Sequence, residues 1–153
     1  MLTESKRLNI AIILFAIICI WNIYWGTLYA ISGTLMPYHQ RAIGMTPSQV
    51  SNYNPRLMLL ISFLFRMEGI SIICTSITNL LILNYSFRNK EKWSWIALVV
   101  PGLIWYISMF FALYIVLGPL ESSLWIHILM ATLLIIAAGI SYKEFFPKSK
   151  KAI

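Results

Sequence analysis

Charged side chains are scarce in this 153-residue chain, of which they make up 11%. A soluble domain of ordinary composition is about 25% charged and about 45–50% apolar. This chain is instead 59% hydrophobic, with a mean hydropathy of +0.77. A soluble core of this size could not cover so much apolar surface, whereas a lipid bilayer does. The scarcity of charge therefore predicts one integral membrane domain over residues 1–153.

The chain also lacks the complete motifs of known catalytic, nucleotide and metal sites. It contains no glycine-rich phosphate loop, no His-Glu-x-x-His pair and no Gly-x-Ser-x-Gly turn. Cys19 and Cys74 lie inside apolar runs and indicate no disulfide framework. An enzyme, such as a redox enzyme that uses these cysteines or His39, is consequently the least favoured class of function.

Four apolar runs are each long enough to cross a bilayer, which takes about 20 mostly apolar residues in a helix. The first run exceeds the roughly 7–15 apolar residues of a signal peptide, so we expect a retained helix. Pro101-Gly102 predicts a kink in the third. The sequence thus predicts an all-α bundle of four transmembrane helices, at about residues 8–33, 55–85, 93–117 and 123–142.

The longest loop, residues 34–56, contains two helix start signals. Thr46 is suited to cap a helix, Pro47 fits its first turn and Gln49 completes a capping box. Asn54-Pro55 is the second start signal. We therefore expect a short amphipathic helix that lies on the membrane surface and ends before Asn54.

Basic residues are concentrated on one side of the predicted membrane. The opposite loops contain only Arg41 and Arg56. Because the more basic side is normally cytoplasmic, both termini are predicted to lie in the cytoplasm, and the protein in a bacterial cell membrane. The formal charge of +7 then reflects orientation rather than nucleic-acid binding, since no basic face or RNA-binding motif accompanies it. The basic residues of the predicted cytoplasmic side are Lys6, Arg7, Arg88, Lys90, Lys92, Lys143, Lys148, Lys150 and Lys151.

Two charged residues, Arg66 and Glu68, lie inside the second apolar run. Arg66 is about 16 Å along the helix from Pro55, close to the middle of a bilayer. A charge there costs about 2.5–3.5 kcal/mol and usually faces a bundle interior or a watery cavity. A ligand or transport role is one interpretation, and a buried pair that fixes helix register is the other.

Arg66 and Glu68 point to roughly opposite sides of their helix, so each has a polar face of its own. We expect this helix to be the most enclosed of the four, or to present one face to another subunit. Ser62, Gly69 and Ile73 share the face of Arg66, and Ser71, Thr75 and Asn79 share that of Glu68.

Aromatic and polar residues of the first and third helices are expected at a similar depth. Gly26 and Gly33 permit close approach of the first helix to its neighbour. Together with Arg66 and Glu68, these residues suggest an aromatic-lined pocket, although aromatic stripes at this spacing are more often ordinary core packing. The residues concerned are Asn22, Trp25, Tyr29, Trp105, Tyr106, Ser108 and Met109.

A metal site formed by His39, Glu121 and His127 is an alternative use of the outer face, where topology gathers these residues. Established metal motifs have close and regular ligand spacing, which these three residues lack. The sequence therefore predicts no metal and no other cofactor.

Five short motifs lie around the first loop and the second and third helices: Met36-Pro37-Tyr38-His39, Ile43-Gly44, Arg66-x-x-Gly69, Phe87-Arg88 and Trp93-x-x-x-Ala97. In these motifs, from about Gly33 to Pro119, the chain resembles a family of small bacterial four-helix membrane proteins. Its architecture is also loosely similar to bundles of the DoxX type. The resemblance implies no activity. It implies an outer loop folded over the bundle, with Tyr38 or His39 above Arg66, and a unit of Tyr38, His39, Gly44, Arg66 and Gly69.

The preferred hypothesis is a membrane protein that binds or moves a small amphipathic or anionic molecule, such as a lipid or a quinone. Arg66 would supply the counter-charge, and Glu68 would tune charge or accept a proton. The alternative is a non-catalytic interaction protein, such as an accessory subunit, an immunity protein or a stress protein. That protein would use the polar faces of the second helix to form a homo-oligomer or to bind a membrane partner. The candidate ligand-binding residues are Arg66, Glu68, Asn22, Trp25, Tyr38, His39, Trp105 and Tyr106.

Overall fold

The computed structural model describes residues 4–119 and 122–147, and within them it contains helices and no strand. We call the end of the bundle where α1 begins and α6 finishes the termini end, and the end that carries α2 and α3 the loop end. The elements are α1 (Glu4–Ser32), α2 (Pro37–Ile43), α3 (Pro47–Tyr53), α4 (Pro55–Ile82), a π-helical turn (Leu83–Phe87), α5 (Lys92–Leu117) and α6 (Ser122–Phe145).

Four helices in the described residues are long and apolar enough to cross a membrane, as the sequence predicts. The observed ends of these helices lie within a few residues of the predicted ends. The second span continues past its predicted end to Phe87, through the π-helical turn. Phe87 is fully buried there between Phe15 and Phe145, at ring-centroid distances of 5.3 and 4.6 Å. The turn therefore extends α4 into the core at the termini end.

Short helices α2 and α3 occupy the first loop. Both predicted caps are confirmed: Gln49 N–H donates to Thr46 Oγ1 at 3.3 Å, and Thr46 N–H donates to Gln49 Oε1 at 2.8 Å. Asn54 Oδ1 accepts from the first backbone N–H groups of α4. α2 was not predicted, because a helix of seven residues has too little periodicity to stand out. Pro37 lies in its first turn, and Gly44, with φ 67°, ends it.

The four long helices form an open ring. α1 packs between α4 and α6, and α5 packs on α6, whereas α4 and α5 hardly touch. The π-helical turn contacts α5 at the termini end, and α2 contacts α5 at the loop end. Between those two contacts, the ring is open.

A close crossing fixes α4 against α1. A methyl group added at Gly26 would lie 2.9 Å from the Gly69 carbonyl oxygen, and one at Gly69 would overlap the backbone of Ala30 and Gly26. Such backbone contact is how small residues join membrane helices. Of the predicted pair, Gly26 faces Gly69 at this seam, and Gly33 meets Arg66 and Ser62.

The expectation that the second helix is the most enclosed is wrong for the chain alone. In the second span, Pro55–Phe87, only 6% of an 18-residue apolar stretch is buried. The corresponding share is 22–28% in the other three spans. The reason is the open ring, which leaves α4 packed mainly on α1 along one narrow seam. Its outward face is apolar and exposed at Leu59, Leu60, Phe63, Leu64, Met67 and Ile70.

Candidate functional site

The open ring encloses a cavity of about 490 Å³ between α1, α4, α5 and α6, with α2 at its loop end. Its aromatic lining comprises Phe15, Trp21, Trp25, Tyr29, Tyr38, Trp105 and Tyr106. Its polar lining comprises Asn22, Glu68, Ser71, Thr75, Ser76, Asn79, Ser123 and His127. The cavity thus combines an aromatic wall with a limited set of polar groups.

One polar face of α4 lines the cavity along its length. Glu68, Ser71, Thr75 and Asn79 follow each other at helical spacing, and all four lie at the cavity. Helical spacing in the sequence predicts this same face, on which Ser71, Thr75 and Asn79 lie with Glu68. The distance from Glu68 to Asn79 along the helix is about 16 Å, so the cavity extends well into the bundle.

The hydroxyl groups on α4 and its neighbours are mostly satisfied within their own helices. Ser71 Oγ donates to the Met67 carbonyl at 2.9 Å, and Ser76 Oγ donates to the Ile72 carbonyl at 2.8 Å. Such bonds to the preceding turn let serine enter an apolar environment. The Glu68 carboxylate is different, because within the described residues it joins no ion pair and accepts no hydrogen bond.

A hydrogen bond across the cavity connects α1 with α5. Tyr106 Oη donates to Asn22 Oδ1 at 3.2 Å. The Tyr106 ring also faces His127 of α6, at 6.4 Å between centroids. His127 Nδ1 lies 2.8 Å from the Ser123 carbonyl, which only accepts, so Nδ1 carries a proton. Nε2 of a neutral His127 is then an acceptor.

The cavity opens sideways between α4 and α5. Ser71 and Thr75 of α4 and Pro101 and Trp105 of α5 line it, yet all four are exposed. These residues therefore form the rim. Pro101 lies inside α5 as predicted and has no N–H to donate to the Ala97 carbonyl.

Helix α2 positions Tyr38 and His39 at the loop end. Tyr38 reaches the cavity, where burial and then the nearby Glu68 carboxylate raise the pKa of its phenol. His39 does not line the cavity. It packs between Tyr29 and Phe65, at 5.9 and 4.5 Å between ring centroids, and its Nδ1 accepts from Met36 N–H. Burial lowers the His39 pKa from 6.5 to about 4, so the ring stays neutral and holds α2 in place.

Arg66 lies outside the cavity, at the junction of α4 with the end of α1. Arg66 Nη1 donates to the Ala30 carbonyl at 3.0 Å, and its stem runs beside Gly33, where α1 ends with φ 52°. Arg66 is therefore level with the last turn of α1 and not with the middle of the bundle. The cation complements the negative end of the α1 dipole. The prediction that Arg66 anchors a pocket has no support in this geometry.

The structure thus brings six of the eight sequence-predicted site residues together at the cavity. The six are Asn22, Trp25, Tyr38, Glu68, Trp105 and Tyr106. Sequence reasoning missed Ser76 and Pro101 as lining residues and considered His127 only for other roles. The signal for Ser76 was its position one residue after Thr75, on the edge of the polar face of α4.

The structure does not assemble the alternative metal site from the residues that it describes. No group of three potential ligands is found among residues 4–119 and 122–147. His39 lies in the aromatic cluster and His127 lines the cavity. Glu121 falls outside the described residues.

Neither cysteine forms a disulfide bond. Cys19 is buried and lines the cavity, whereas Cys74 is exposed and is not a lining residue. A redox pair of these two residues has no support in this arrangement.

Comparison of the chain with protein-family models, with curated proteins and with solved structures finds no match.

Proposed function

We propose that this chain is a multi-pass membrane protein that binds, and moves within the bilayer, a small amphipathic molecule held in the cavity between α4 and α5. The observation that carries this proposal is the composition of the cavity. A volume of about 490 Å³ lined by aromatic rings and a few polar groups suits a small ligand, for which pockets of about 300–1,000 Å³ are usual.

The proposed orientation puts both termini in the cytoplasm of a bacterial cell and α2 and α3 at the outer surface. It is supported by the positive-inside rule, because the basic residues cluster at the termini end. α3, with its capping box, is then the short amphipathic helix at the membrane surface. In this orientation the cavity extends from the outer surface toward the middle of the membrane.

The ligand is proposed to enter from the lipid, through the gap between α4 and α5. Support comes from the rim, where Ser71, Thr75, Pro101 and Trp105 are exposed although they line the cavity. An amphipathic molecule dissolved in a bilayer would meet the rim without crossing water. Trp105 has an apolar ring and one N–H donor, which suits contact with such a molecule.

The polar end of the ligand is proposed to meet Glu68, Asn22 and Tyr106. These groups converge on the cavity from three helices, and Asn22 and Tyr106 already bond to each other at 3.2 Å. The apolar part would pack on Trp25 and Trp105. Arg66 takes no part in this proposal, because its guanidinium is bound to the Ala30 carbonyl.

A second candidate function is assembly with another membrane helix, and the low burial of α4 favours it. Only 6% of an 18-residue apolar stretch of this span is buried. The outward face of α4 consists of exposed apolar side chains. A second copy or a partner subunit would cover that face. Analytical ultracentrifugation in mild detergent tests this candidate, since a monomer at all concentrations contradicts it.

The proposed binding is tested with N-phenyl-1-naphthylamine, a neutral amphiphile whose absorption overlaps tryptophan emission. Saturable energy transfer from tryptophan to this probe is expected in the purified wild-type protein. Thr75→Phe would fill the rim and is expected to weaken binding by about tenfold or more, equivalent to about 1.4 kcal/mol.

Thr78→Phe is the matched control, because Thr78 lies on the same helix but does not line the cavity. It should bind the probe as the wild type does. Equal saturation by Thr75→Phe, or transfer that never saturates in any variant, would contradict the proposed function.

A further inference from the structure

The charges around the cavity are of one sign. Among its lining residues in the described chain, Glu68 is the only acidic residue, and no lysine or arginine lines the cavity. We propose that the ligand is a lipophilic cation, whose charge is balanced by the Glu68 carboxylate. This inference rests on the proposed function, because it names the class of molecule that the same cavity takes.

The surroundings of the Glu68 carboxylate favour a cationic ligand. The carboxylate joins no ion pair and accepts no hydrogen bond among the described residues, although half-buried in apolar surroundings. Transfer of an unpaired carboxylate out of water is unfavourable, and an opposite charge offsets that cost. A bound cation would supply this charge.

The nearest candidate for an internal counter-charge is already engaged. Arg66 is two positions away on α4, but its side chain turns to the opposite face and donates to the Ala30 carbonyl at 3.0 Å. A carboxylate and a guanidinium so close in sequence, yet on separate faces, leave the cavity with the negative charge alone. The described chain therefore offers Glu68 no lysine or arginine within the cavity.

The aromatic wall of the cavity independently favours a cationic ligand. Trp25, Tyr29, Tyr38, Trp105 and Tyr106 surround the same space as Glu68. The faces of aromatic rings carry partial negative charge and attract cations, most strongly where water is excluded, and aromatic cages bind quaternary ammonium groups in this way. The aromatic wall and the carboxylate therefore favour the same ligand class, an organic cation with an apolar surface.

Anionic and neutral amphiphiles are less suited to the cavity. An anion would meet Glu68 without any lysine or arginine on the wall to compensate. A neutral quinone or lipid could pack on the rings but would leave the carboxylate unpaired. The charge of the ligand is thus the property that distinguishes these alternatives.

Tetraphenylphosphonium and tetraphenylborate provide the test, since they have nearly the same size and shape and opposite charge. Binding of each ion to the purified protein in a neutral detergent is measured by isothermal titration calorimetry. The wild type is expected to bind tetraphenylphosphonium about tenfold or more tightly than tetraphenylborate. Glu68→Gln, which preserves size, should lose that preference.

Arg66→Gln is the matched control. It removes a charge from the same helix two positions away, outside the cavity, and should keep the preference for the cation. Binding of neutral N-phenyl-1-naphthylamine by Glu68→Gln reports that this variant is folded and that its cavity is intact.

The outcomes separate the two proposals. Equal binding of both ions, or a cation preference that persists in Glu68→Gln, would overturn the cation inference. Binding of the neutral probe without either ion would overturn it as well, and in all three cases the proposed amphiphile binding stands. If neither ion nor the neutral probe binds in a saturable way, both proposals fail.

Discussion

The two faces of α4 differ in how they are built. The face toward α1 is a tight seam, in which Gly69 lies so close to Gly26 and Ala30 that a methyl group has no room. The face toward α5 borders a cavity of about 490 Å³ and carries Glu68 and Asn79. One face of α4 thus holds the helix against α1, and its other face borders the cavity.

The two charged residues inside the apolar span of α4 also differ in their surroundings. Arg66 lies on the seam side and donates to a backbone carbonyl of α1, whereas Glu68 lies at the cavity without a partner in the described chain. The Arg66 guanidinium is bound to the backbone of α1, so its role is to stabilise the packing of α4 on α1. A charge that faces open space is the better indication of a ligand.

The largest effect is expected from breaking the seam. Gly69→Ala should lower the free energy of unfolding by about 3 kcal/mol, because its methyl group would overlap backbone that cannot rotate away. Unfolding in mixed micelles with increasing dodecyl sulfate measures this effect. Gly139→Ala is the control, since the added methyl group would have no contact within 4 Å beyond its own stretch of helix backbone, and it should be neutral or slightly stabilising.

A result in which Gly69→Ala and Gly139→Ala unfold alike would contradict the seam. Gly102→Ala should fall between them. Its methyl group would lie 2.9 Å from Leu134 Cδ2 and 3.4 Å from Leu134 Cδ1, and the side chain of Leu134 is able to move.

A smaller effect is expected at Arg66. Arg66→Met should cost about 1 kcal/mol, because it removes a charge-assisted hydrogen bond to the end of α1, at an exposed position where such bonds are weakened by solvent. The same unfolding assay measures it, with exposed Arg56→Met as the control. Binding of the neutral probe should be unchanged, and its loss in Arg66→Met would contradict the separation of the two faces.

Acid is expected to loosen the loop end and leave the seam intact. Burial lowers the folded pKa of His39 from 6.5 to about 4, so the unfolded state binds more protons between these pH values. The docking of α2 is then fully stabilised above about pH 6.5 and weakens as the pH falls toward 4. Nuclear magnetic resonance titration of His39 and hydrogen exchange in α2 measure both properties.

His39→Asn retains an acceptor near Met36 N–H without a titrating ring, and it should reduce the pH dependence of exchange in α2. A His39 pKa near 6.5 in the folded protein, or no acid effect on α2, would contradict the role assigned to burial.

The smallest effect on stability is expected on the cavity side. Thr75→Phe should change the free energy of unfolding by no more than about 0.5 kcal/mol, because the new ring enters open space at an exposed rim position. Thr78→Phe provides the comparison. A cost as large as that of Gly69→Ala would mean that the cavity face is packed as tightly as the seam.

The sequence predicts the four spans well, because about 20 apolar residues in a row have few alternatives. It also predicts the caps at Thr46 and Asn54, since these depend on side chains within three positions. The division of α4 into an Arg66 face and a Glu68 face follows from helical periodicity, and the structure keeps each face together. These features are local, and local geometry can be read from one segment.

Features that depend on how the helices are arranged could not be predicted in this way. Which face of α4 meets α1 depends on the Gly26–Gly69 contact, and a sequence does not specify which glycines meet. Arg66 was assigned to the middle of the bilayer by counting from Pro55. However, the 33-residue span Pro55–Phe87 is about 50 Å long, well beyond the roughly 30 Å of a hydrocarbon core.

Native mass spectrometry of the protein released from mild detergent tests most directly the claim that the cavity side of α4 binds a small molecule. The wild type and Thr78→Phe are expected to carry the same discrete bound mass, and Thr75→Phe is expected to lack it. A bound mass of equal occupancy in Thr75→Phe, or no bound mass in the wild type, would contradict the account.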